Sequence, residues 1–290
     1  LPCSPAPLLP CSPAPLLPMP IAPLDAARRA LANANRVVAI TGAGVSAESG
    51  IPTFRGGQTG GMEALWKSFD PMTLATPEAF ARDPKTVTQW YDWRRQRCRE
   101  AIPNPAHLAL ADLERLLYEP SAHAEGVSSS PRRFTLLTQN VDRLHQRAGS
   151  TNIAELHGNI VHWRCSATDQ PADIPEGPFP SCPMPSPHAP GAFLRPGVVW
   201  FGEALPEAAL RTAFEAVHAM AEGDIFLSIG TSALVYPAAG FIELAQARGA
   251  TTIEVNRDPT PLSGRVDFSL MGRAGEVLPA LVAVNGRTTL

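Results

Sequence analysis

The sequence predicts an α/β fold in which helices cover both faces of a parallel sheet, and three observations lead to this prediction. Short apolar runs rich in β-branched residues recur along the chain, the clearest at residues 37–40, 134–137, 225–229, 251–255 and 266–270. Helical patterns lie between most of these runs, and glycine or polar residues follow several of them directly. Because strands that alternate with helices build doubly wound sheets, ligands are expected at the carboxyl ends of the strands.

Length and composition limit the classes of protein to consider. At 290 residues the chain can bury a sizeable core, in one domain with a large insertion or in two. A net charge of −3 without a long basic block does not favour nucleic acid or an anionic membrane as a partner. No apolar run approaches the ~20 residues that span a bilayer. Five cysteines, an odd number and far apart, argue against a disulfide framework and for a reducing, intracellular compartment.

The first 20 residues are rich in proline and carry a tandem repeat. The string LPCSPAPL occurs at residues 1–8 and again at residues 9–16. Such a segment cannot pack a core, so we expect it to be extended or disordered. Either it is a proline ligand for a recognition domain or, the interpretation we favour, it is non-native sequence with Met19 as the true start. It contains no Arg or Lys and does not look like a mitochondrial transit peptide.

The stretch around Gly42 predicts a dinucleotide site after the first strand. The strand over residues 37–40 is followed by Gly42 and Gly44. Glycine has no Cβ and lets backbone N–H groups approach a phosphate closely. The usual dinucleotide fingerprint has a third glycine, but Ala47 and Glu48 stand in that region. The two glycines alone are therefore weak evidence.

Helix signals flank the first strand. Asp25 is expected to cap a helix over residues 26–33. A glycine-rich stretch at residues 56–61 is expected to act as a mobile lid. A helical insertion is predicted over residues 76–118, and its helices start at three N-cap residues that proline follows: Thr76, Asp83 and Asn104.

The second half of the chain supplies the remaining strands. The strand over residues 134–137 leads into Gln139-Asn140-Val141-Asp142, and a short segment over residues 152–156 leads into His157. Residues 165–194 are rich in proline and are predicted to be irregular. The remaining elements are a β-like run over residues 198–201, helices over residues 206–222 and 237–248, and strands over residues 225–229, 251–255 and 266–270.

Several motifs together resemble the sirtuin family. Residues 46–55 read SAESGIPTFR, and the strings TQNVDRLH, ELHGN and VVWFGE follow in the family's order. The resemblance covers roughly residues 25–285 and implies an NAD-dependent protein deacylase. It also implies a Rossmann-like NAD-binding domain, residues 21–57, 131–163 and 195–290, with a smaller domain made of the helical insertion, residues 58–130, and an irregular, zinc-module-like excursion, residues 164–194.

By this resemblance a set of residues contacts NAD, most of them directly after predicted strands. Gly-Thr-Ser at residues 230–232 is common in turns and carries little weight alone. The set consists of Gly42, Ala43, Gly44, Ser46, Glu48, Ser49, Thr53, Phe54, Arg55, Gln139, Asn140, Asp142, Gly230, Thr231, Ser232, Asn256, Arg257 and Ala274.

The resemblance also implies catalytic roles. In sirtuins the acyl group passes from lysine to ADP-ribose and nicotinamide leaves. His157 matches the general base, and histidine suits the removal of a proton from a ribose hydroxyl near neutral pH. Asn140 and Asp142 match residues that hold the nicotinamide carboxamide and support the ribose network, and Phe54 matches the residue that covers the reacting carbon and excludes water. Without the motifs, a single histidine is more often structural than catalytic.

Two segments resemble those between which sirtuins insert the substrate peptide as an extra strand. Main-chain hydrogen bonds would supply the affinity, so broad tolerance of peptide sequence is expected. The run over residues 198–201 could equally be an ordinary core strand, or serve both purposes. The residues concerned are Val198, Trp200, Phe201, Gly202, Val235 and Tyr236.

Tyr91 and Arg94 resemble the pair of the sirtuin branch that removes succinyl, malonyl and glutaryl groups. The i, i+3 spacing places both on one helical face. In an arbitrary helix, a solvated Arg beside a half-buried Tyr would be the simpler interpretation. An acyl group that ends in a carboxylate must not be buried unpaired, however, and a guanidinium with a phenol would satisfy it. Acetyl-lysine has no such anion, so the same residues would discriminate.

The zinc module departs from the sirtuin pattern. Typical sirtuins carry two Cys pairs there. In this chain Thr168, not a cysteine, stands three residues after Cys165, and Cys182 stands alone. Two thiolates do not make a closed tetrahedral site, and no spacing recommends His162, Asp169 or His188 as further ligands. We therefore predict no metal site, with Cys165 and Cys182 as its remnants. Residues 165–194 are then expected to lack a staple.

Two other functions stay open beside a deacylase selective for negatively charged acyl groups. The chain could be a degenerate sirtuin that binds NAD or acylated peptide without turnover, or a plain sirtuin deacetylase. An ordinary Rossmann oxidoreductase would need the complete glycine fingerprint, which is absent. We expect acylated lysine peptides as substrates and a monomer, and family habit slightly favours mitochondria over cytoplasm or nucleus.

Overall fold

The computed structural model describes residues 21–51, 71–118, 133–232 and 240–283. Its larger sheet has six parallel strands. They are β1 (Arg36–Thr41), β2 (Arg133–Thr138), β3 (Ile153–Glu155), β7 (Ile225–Ile229), β8 (Thr251–Asn256) and β9 (Phe268–Met271). Their order in the sheet is β3-β2-β1-β7-β8-β9. The chain moves from β1 to one edge and returns on the other side of β1, so a topological switch point lies between β1 and β7.

Helices cover both faces of this sheet. In the first half of the chain the described helices are α1 (Ile21–Ala32), α2 (Ala43–Ala47), α3 (Pro71–Leu74), α4 (Pro77–Arg82), α5 (Pro84–Glu100), α6 (Pro105–Tyr118) and α7 (Leu144–Arg147). The others are α8 (Glu207–His218), α9 (Gly240–Ala247) and α10 (Ala274–Val282). In β1, Val37 and Ala39 pack with α1, α6 and α10, whereas Val38 and Ile40 pack with α8 and α9 on the opposite face. Burial on both faces explains why the strands are apolar without alternation.

A second, antiparallel sheet has the order β5-β4-β6. Its strands are β4 (Gly158–Cys165), β5 (Pro171–Ala172) and β6 (Leu194–Val198). We call residues 158–198 the β-lobe. Its apolar residues share a core with α3, α4 and α5, in which Trp90, Tyr91, Trp163 and Trp200 are buried.

The predicted α/β fold is confirmed. The predicted N-cap residues had different outcomes. Thr76 Oγ1 accepts from the Ala79 N–H and Asp83 Oδ1 accepts from the Thr86 N–H, both at 3.0 Å, so these caps are confirmed. The Asp25 cap is wrong, because α1 already begins at Ile21 and Asp25 pairs with Arg28 inside the helix. Helix α8 ends at His218, four residues before the predicted end.

The β-like run predicted over residues 198–201 is also wrong. The strand is β6, which ends at Val198. Beyond it, the Trp200 N–H donates to Glu203 Oε2 at 2.8 Å and the Phe201 N–H donates to Ala75 O at 2.9 Å, so these groups leave the ladder.

Some predictions concern parts of the chain that the structure does not describe. The tandem repeat, the lid over residues 56–61 and the start of the helix predicted over residues 237–248 lie outside the described residues. The division into domains stays a prediction. Within the described ranges, no helix is both long and apolar enough to cross a bilayer.

Candidate active site

The glycine loop after β1 packs directly against the loop after β7. The Gly42 N–H donates to Ile229 O at 3.0 Å and the Gly44 N–H donates to Gly230 O at 2.8 Å. A Cβ on Gly42 would lie 2.8 Å from Gly230 O, and one on Gly230, whose φ is +59°, would lie 2.6 Å from the Val45 nitrogen. Only glycine fits so close an approach, so backbone atoms of the two loops line the switch point.

A buried polar network joins this loop to the loop after β2. Ser46 Oγ donates to Asp142 Oδ2 at 2.7 Å, and Asn140 Nδ2 donates to Ser46 Oγ and to Gly42 O, both at 3.0 Å. The three side chains are buried. Burial raises the pKa of Asp142, while hydrogen bonds from Leu144 and Ser46 act to lower it. The structure thus brings together three residues that the sequence assigned to the site.

His157 follows β3, and its hydrogen bond fixes which nitrogen is basic. Nδ1 lies 3.0 Å from Gln139 O. Because a carbonyl oxygen only accepts, Nδ1 carries the proton and Nε2 of the neutral ring is the basic nitrogen. Burial lowers the pKa of His157, although the bond to Gln139 acts to raise it. The ring is therefore neutral at pH 7, the state that a general base needs.

The loops after β7 and β8 meet at Thr231. Gln139 Nε2 donates to Thr231 Oγ1 at 3.1 Å, and Asn256 Nδ2 donates to Thr231 O at 2.9 Å. Arg257 is exposed and pairs with Asp258, and Ser232 is partly buried. The carboxyl ends of β1, β2, β3, β7 and β8 therefore all contribute to one edge of the sheet.

The remaining described cofactor candidates attach α2 to its neighbours. The Gly275 N–H, next to the buried Ala274, donates to Glu48 Oε1 at 3.0 Å. Asn104 Nδ2 donates to Ser49 Oγ at 3.0 Å and to Val45 O at 2.7 Å. Ala43 opens α2. Five predicted site residues lie outside the described residues: Thr53, Phe54, Arg55, Val235 and Tyr236.

An ion pair joins β6 to the segment that follows it. Arg195 donates to both carboxylate oxygens of Glu203, at 2.6 and 2.8 Å, and its guanidinium lies 3.5 Å from the centre of the Trp200 ring. Val198 and Trp200 are buried, whereas Phe201 is 41% exposed. Gly202 has a φ of +87° where the segment turns. The side chains of Val198 and Trp200 thus serve the core, while Phe201 and the turn at Gly202 lie at the surface.

Tyr91 on α5 contacts this segment directly. Its Oη accepts a hydrogen bond from Trp200 Nε1 at 2.9 Å. Burial raises the pKa of Tyr91 to about 12, although the charge of Arg94 acts to lower it. The phenol is therefore neutral throughout the physiological range and keeps a hydrogen to donate.

Arg94 lies about one turn after Tyr91 on α5, and its charge acts on the pKa values of both Tyr91 and Asp142. It is half-buried, its guanidinium lies 4.8 Å from the Trp90 ring centre, and it lines a small cavity together with Ile51, Trp93, Arg97 and Cys98. Burial, the largest influence, raises the pKa of Asp142, and the charge of Arg94 acts to lower this pKa. Arg94 is therefore close enough for its charge to influence both the Tyr91 phenol and the Asp142 carboxylate.

Comparisons with known proteins decide the family. A sequence model of the Sir2 family matches residues 42–237. The chain belongs to the Sir2 family. A relative from Thermus thermophilus named NAD-dependent protein deacylase is 48% identical over 261 residues, which cover 89% of this chain and 94% of the relative. One of the same name from Pyrococcus furiosus is 44% identical over 261 residues, covering 87% and 94%.

Solved Sir2 structures support the same assignment. A Sir2 homologue in complex with NAD has a TM-score of 0.77 and 43% identity, and the match covers 89% of this chain and 92% of that one. A mutant Sir2 homologue in complex with 2′-O-acetyl ADP ribose has a TM-score of 0.74 and 44% identity, with 88% and 93% covered. The predicted resemblance to sirtuins and the Rossmann-like fold are confirmed.

The described residues fit the NAD that Sir2 enzymes require. The Gly42 and Gly230 loops approach so closely that Cβ atoms would clash, which leaves backbone groups to face a phosphate. The network of Ser46, Asn140 and Asp142 supplies polar side chains beside that loop. These groups would hold the dinucleotide along the carboxyl edge of the sheet.

The zinc of typical Sir2 proteins does not fit the residues present. Cys165 is buried, and the Ser186 and Thr168 side chains beside it lower the pKa of its thiol to about 6. His188 Nε2 is bonded to Pro171 O at 2.9 Å and His162 Nδ1 to Asn159 at 3.1 Å. Within the described ranges, no group of three or more His, Cys, Asp or Glu side chains could hold a metal ion.

Residues 165–194 are attached to α5 without a metal, so the expectation that nothing fastens this segment is wrong. Arg95 on α5 is 1% exposed and donates to the carbonyl oxygens of Pro175, Glu176 and Gly177 at 2.8, 3.3 and 2.6 Å. Asp92 pairs with Arg95 at 2.6 Å and accepts from the Phe179 N–H at 2.9 Å. The ion pair thus joins α5 to the excursion. Sequence reasoning missed it because the acceptors are backbone atoms of an irregular segment.

A second hydrogen-bond network, beneath the loop after β2, was also missed. Thr41 Oγ1 donates to Thr138 Oγ1 at 2.9 Å and lies 2.9 Å from His145 Nε2, and the Asn140 N–H donates to Thr138 Oγ1 at 3.1 Å. The His107 ring centre lies 4.8 Å from that of His145. His145 ends the string TQNVDRLH, so the motif contained a signal for this residue but not for its partners.

Proposed function

We propose that this NAD-dependent protein deacylase prefers lysine acyl groups that end in a carboxylate, namely succinyl, malonyl and glutaryl, and acts more weakly on acetyl-lysine. The observation that carries the proposal is the placement of Tyr91 and Arg94 on α5. Tyr91 contacts Trp200 of the predicted peptide segment, and the charge of Arg94 acts on both Tyr91 and Asp142. Tyr91 thus contacts the predicted peptide segment, and Arg94 is near enough to the loop after β2 for its charge to act on Asp142.

The chemistry of the two side chains suits a terminal carboxylate. A carboxylate that enters a partly desolvated site is costly unless it is paired. Arg94 supplies a permanent positive charge, and Tyr91 stays a neutral donor because burial raises its pKa to about 12. Charge-assisted hydrogen bonds of this kind contribute about 1.5–3 kcal/mol. An acetyl group has no charge to pair with Arg94, so it gains none of this.

The other site residues have distinct tasks. NAD, when bound, would supply the ribose that accepts the acyl group and nicotinamide as the leaving group. His157 would take the proton of a ribose hydroxyl at Nε2, since its Nδ1–H is held by Gln139 O. Asp142 accepts a hydrogen bond from Ser46 and so joins the loop after β2 to the glycine loop. The peptide would add as a strand beside the segment at residues 198–202 through main-chain hydrogen bonds.

Deacylation of one lysine peptide that carries either succinyl or acetyl, with and without NAD, tests the proposal. We expect NAD-dependent turnover with a larger kcat/KM for the succinyl peptide. In Arg94→Met the ratio of succinyl to acetyl kcat/KM should fall by about 10- to 100-fold, as expected for the loss of a charge-assisted bond. Arg99→Met is the matched control, because Arg99 lies on the same helix but is exposed and bonds to Glu176. It should leave the ratio unchanged.

The alternatives give different results in the same assay. A wild-type preference for acetyl would leave a plain deacetylase and reject the acyl selectivity. NAD binding without turnover of either peptide would indicate a degenerate module that binds but does not react. Turnover that does not require NAD would contradict the function altogether.

A further inference from the structure

The hydrogen bond between Trp200 and Tyr91 has a geometry that matters for acyl selection. Trp200 Nε1–H donates to Tyr91 Oη at 2.9 Å, and the two side chains are 2% and 3% exposed. Water therefore does not compete for this bond. The indole N–H is a donor only, so the phenol oxygen is fixed as the acceptor and its own hydrogen must point elsewhere.

We propose that Trp200 is a positioning residue for acyl selectivity, which directs the Tyr91 hydroxyl hydrogen toward the carboxylate of the acyl group. This inference rests on the proposed function and deepens it. A phenol that accepts a hydrogen bond becomes a stronger donor, because successive hydrogen bonds polarise one another. Trp200 thereby sets both the direction and the strength of the bond that Tyr91 offers.

Trp200 is itself held rigidly, as a positioning residue must be. The Arg195 guanidinium lies 3.5 Å from the centre of its ring, and the Phe80 ring centre lies 5.3 Å away on the α4 side. The backbone N–H of Trp200 donates to Glu203 Oε2, which also accepts from Arg195. An indole fixed in this way holds the phenol in one orientation before substrate binds, which reduces the ordering that binding would otherwise require.

The position of Trp200 also explains why this residue can couple two parts of the substrate. Its backbone belongs to the segment that we assign to the peptide strand, and its side chain reaches α5, which carries the acyl-recognition pair. A simpler interpretation is that Trp200 and Tyr91 only satisfy each other as two buried polar groups. That role would contribute to stability without distinguishing one acyl group from another.

The chain provides a matched control for this distinction. Trp163 in the β-lobe is buried like Trp200, with 1% of its surface exposed, and its Nε1–H donates to Ile160 O at 3.0 Å. Trp163→Phe and Trp200→Phe therefore each remove one buried indole hydrogen bond of similar length. Only the second bond ends on a residue of the proposed acyl site.

The test measures kcat and KM on succinyl and acetyl peptides for wild type, Trp200→Phe, Tyr91→Phe, the double variant and Trp163→Phe. We expect Trp200→Phe to reduce the ratio of succinyl to acetyl kcat/KM by about 3- to 10-fold, the range of one net hydrogen bond, mainly through a higher KM for the succinyl peptide. In the Tyr91→Phe background, Trp200→Phe should reduce the ratio no further, since the hydroxyl it acts on is gone. Trp163→Phe should lower the melting temperature and leave the ratio unchanged.

The outcomes separate this inference from the proposed function. If wild type prefers succinyl and Tyr91→Phe removes the preference while Trp200→Phe keeps it, the inference is wrong and the function stands. Additive losses in the double variant, or an equal loss in Trp163→Phe, would also overturn the inference. If wild type shows no preference for succinyl, both fail.

Discussion

The six-stranded sheet and the β-lobe are stabilised in different ways. In the sheet, five parallel ladders and two apolar clusters, one on each face, account for the packing. The β-lobe has one short strand, β5, and the long segment between β5 and β6 has no strand within a sheet. That segment is bonded to α5 by Asp92 and Arg95, and the Arg95 guanidinium also lies 4.5 Å from the Phe179 ring centre.

The difference shows that one chain can use distributed and concentrated stabilisation side by side. A sheet spreads its stability over many backbone bonds and buried methyl groups, so no single side chain dominates. A segment without regular structure depends on a few side chains that satisfy its carbonyl groups. Single substitutions should therefore affect the β-lobe more than the sheet, and the predictions below test this.

The largest effect is expected for Arg95→Met. It would leave the Asp92 carboxylate buried without its cation, and the carbonyl oxygens of Pro175 and Gly177 would lose the donor that Arg95 provides. Breaking a buried ion pair from one side costs about 3–5 kcal/mol in the free energy of unfolding. Chemical denaturation measures this loss, and amide hydrogen exchange should show faster exchange in residues 171–190 while the strands of the six-stranded sheet stay protected.

Arg99→Met is again the matched control. Arg99 lies one turn further along α5 and pairs with Glu176 at 3.2 Å, but both side chains are exposed. Exposed pairs of this kind contribute about 0–1 kcal/mol. If the two variants lose similar stability, the stabilisation of the β-lobe is not concentrated in the buried pair and the comparison fails.

The same contrast explains what could be predicted from the sequence. Runs such as residues 134–137 and 225–229 predicted strands because burial on both faces leaves an apolar string. The motifs placed Ser46, Asn140, Asp142 and His157 near one another because they follow strands whose carboxyl ends share an edge. Asp92 and Arg95 gave no such signal, since an Asp and an Arg three residues apart are common on solvated helix faces. Their partners are carbonyl groups, which every residue has.

A smaller effect, on the sheet rather than the β-lobe, is expected in acid. Burial lowers the pKa of His107 to about 4, and burial lowers the pKa of His145 well below its ordinary value. Both rings are thus neutral in the folded state, whereas in the unfolded chain they take up protons near pH 6.5. Between about pH 6.5 and pH 4 the unfolded state binds more protons, so the free energy of unfolding falls as pH falls. His107 alone accounts for on the order of 3 kcal/mol of this change.

Denaturation curves at several pH values for wild type and His107→Leu measure this dependence. The variant loses the acceptor of the Asn104 N–H and should be less stable at every pH, but its stability should fall less steeply between pH 6.5 and pH 4. His218→Gln, a change at an exposed residue of α8, should keep the wild-type slope. An unchanged slope in His107→Leu would mean that this ring is not kept neutral by burial.

The smallest effect is expected from metal removal. Chelation should lower the melting temperature less than it would in a protein whose lobe is held together by a structural zinc. The excursion of the β-lobe is attached by Arg95 and Asp92, and within the described ranges no group of three or more His, Cys, Asp or Glu side chains could hold a metal ion. A strong chelator should therefore leave the melting temperature unchanged, and the purified protein should contain well below one equivalent of zinc. A structural zinc normally contributes directly to folding, so its loss would be evident in the same melting curve. A stoichiometric metal whose removal unfolds the β-lobe would show that ligands outside the described residues complete a site, and that the ion pair only supplements it.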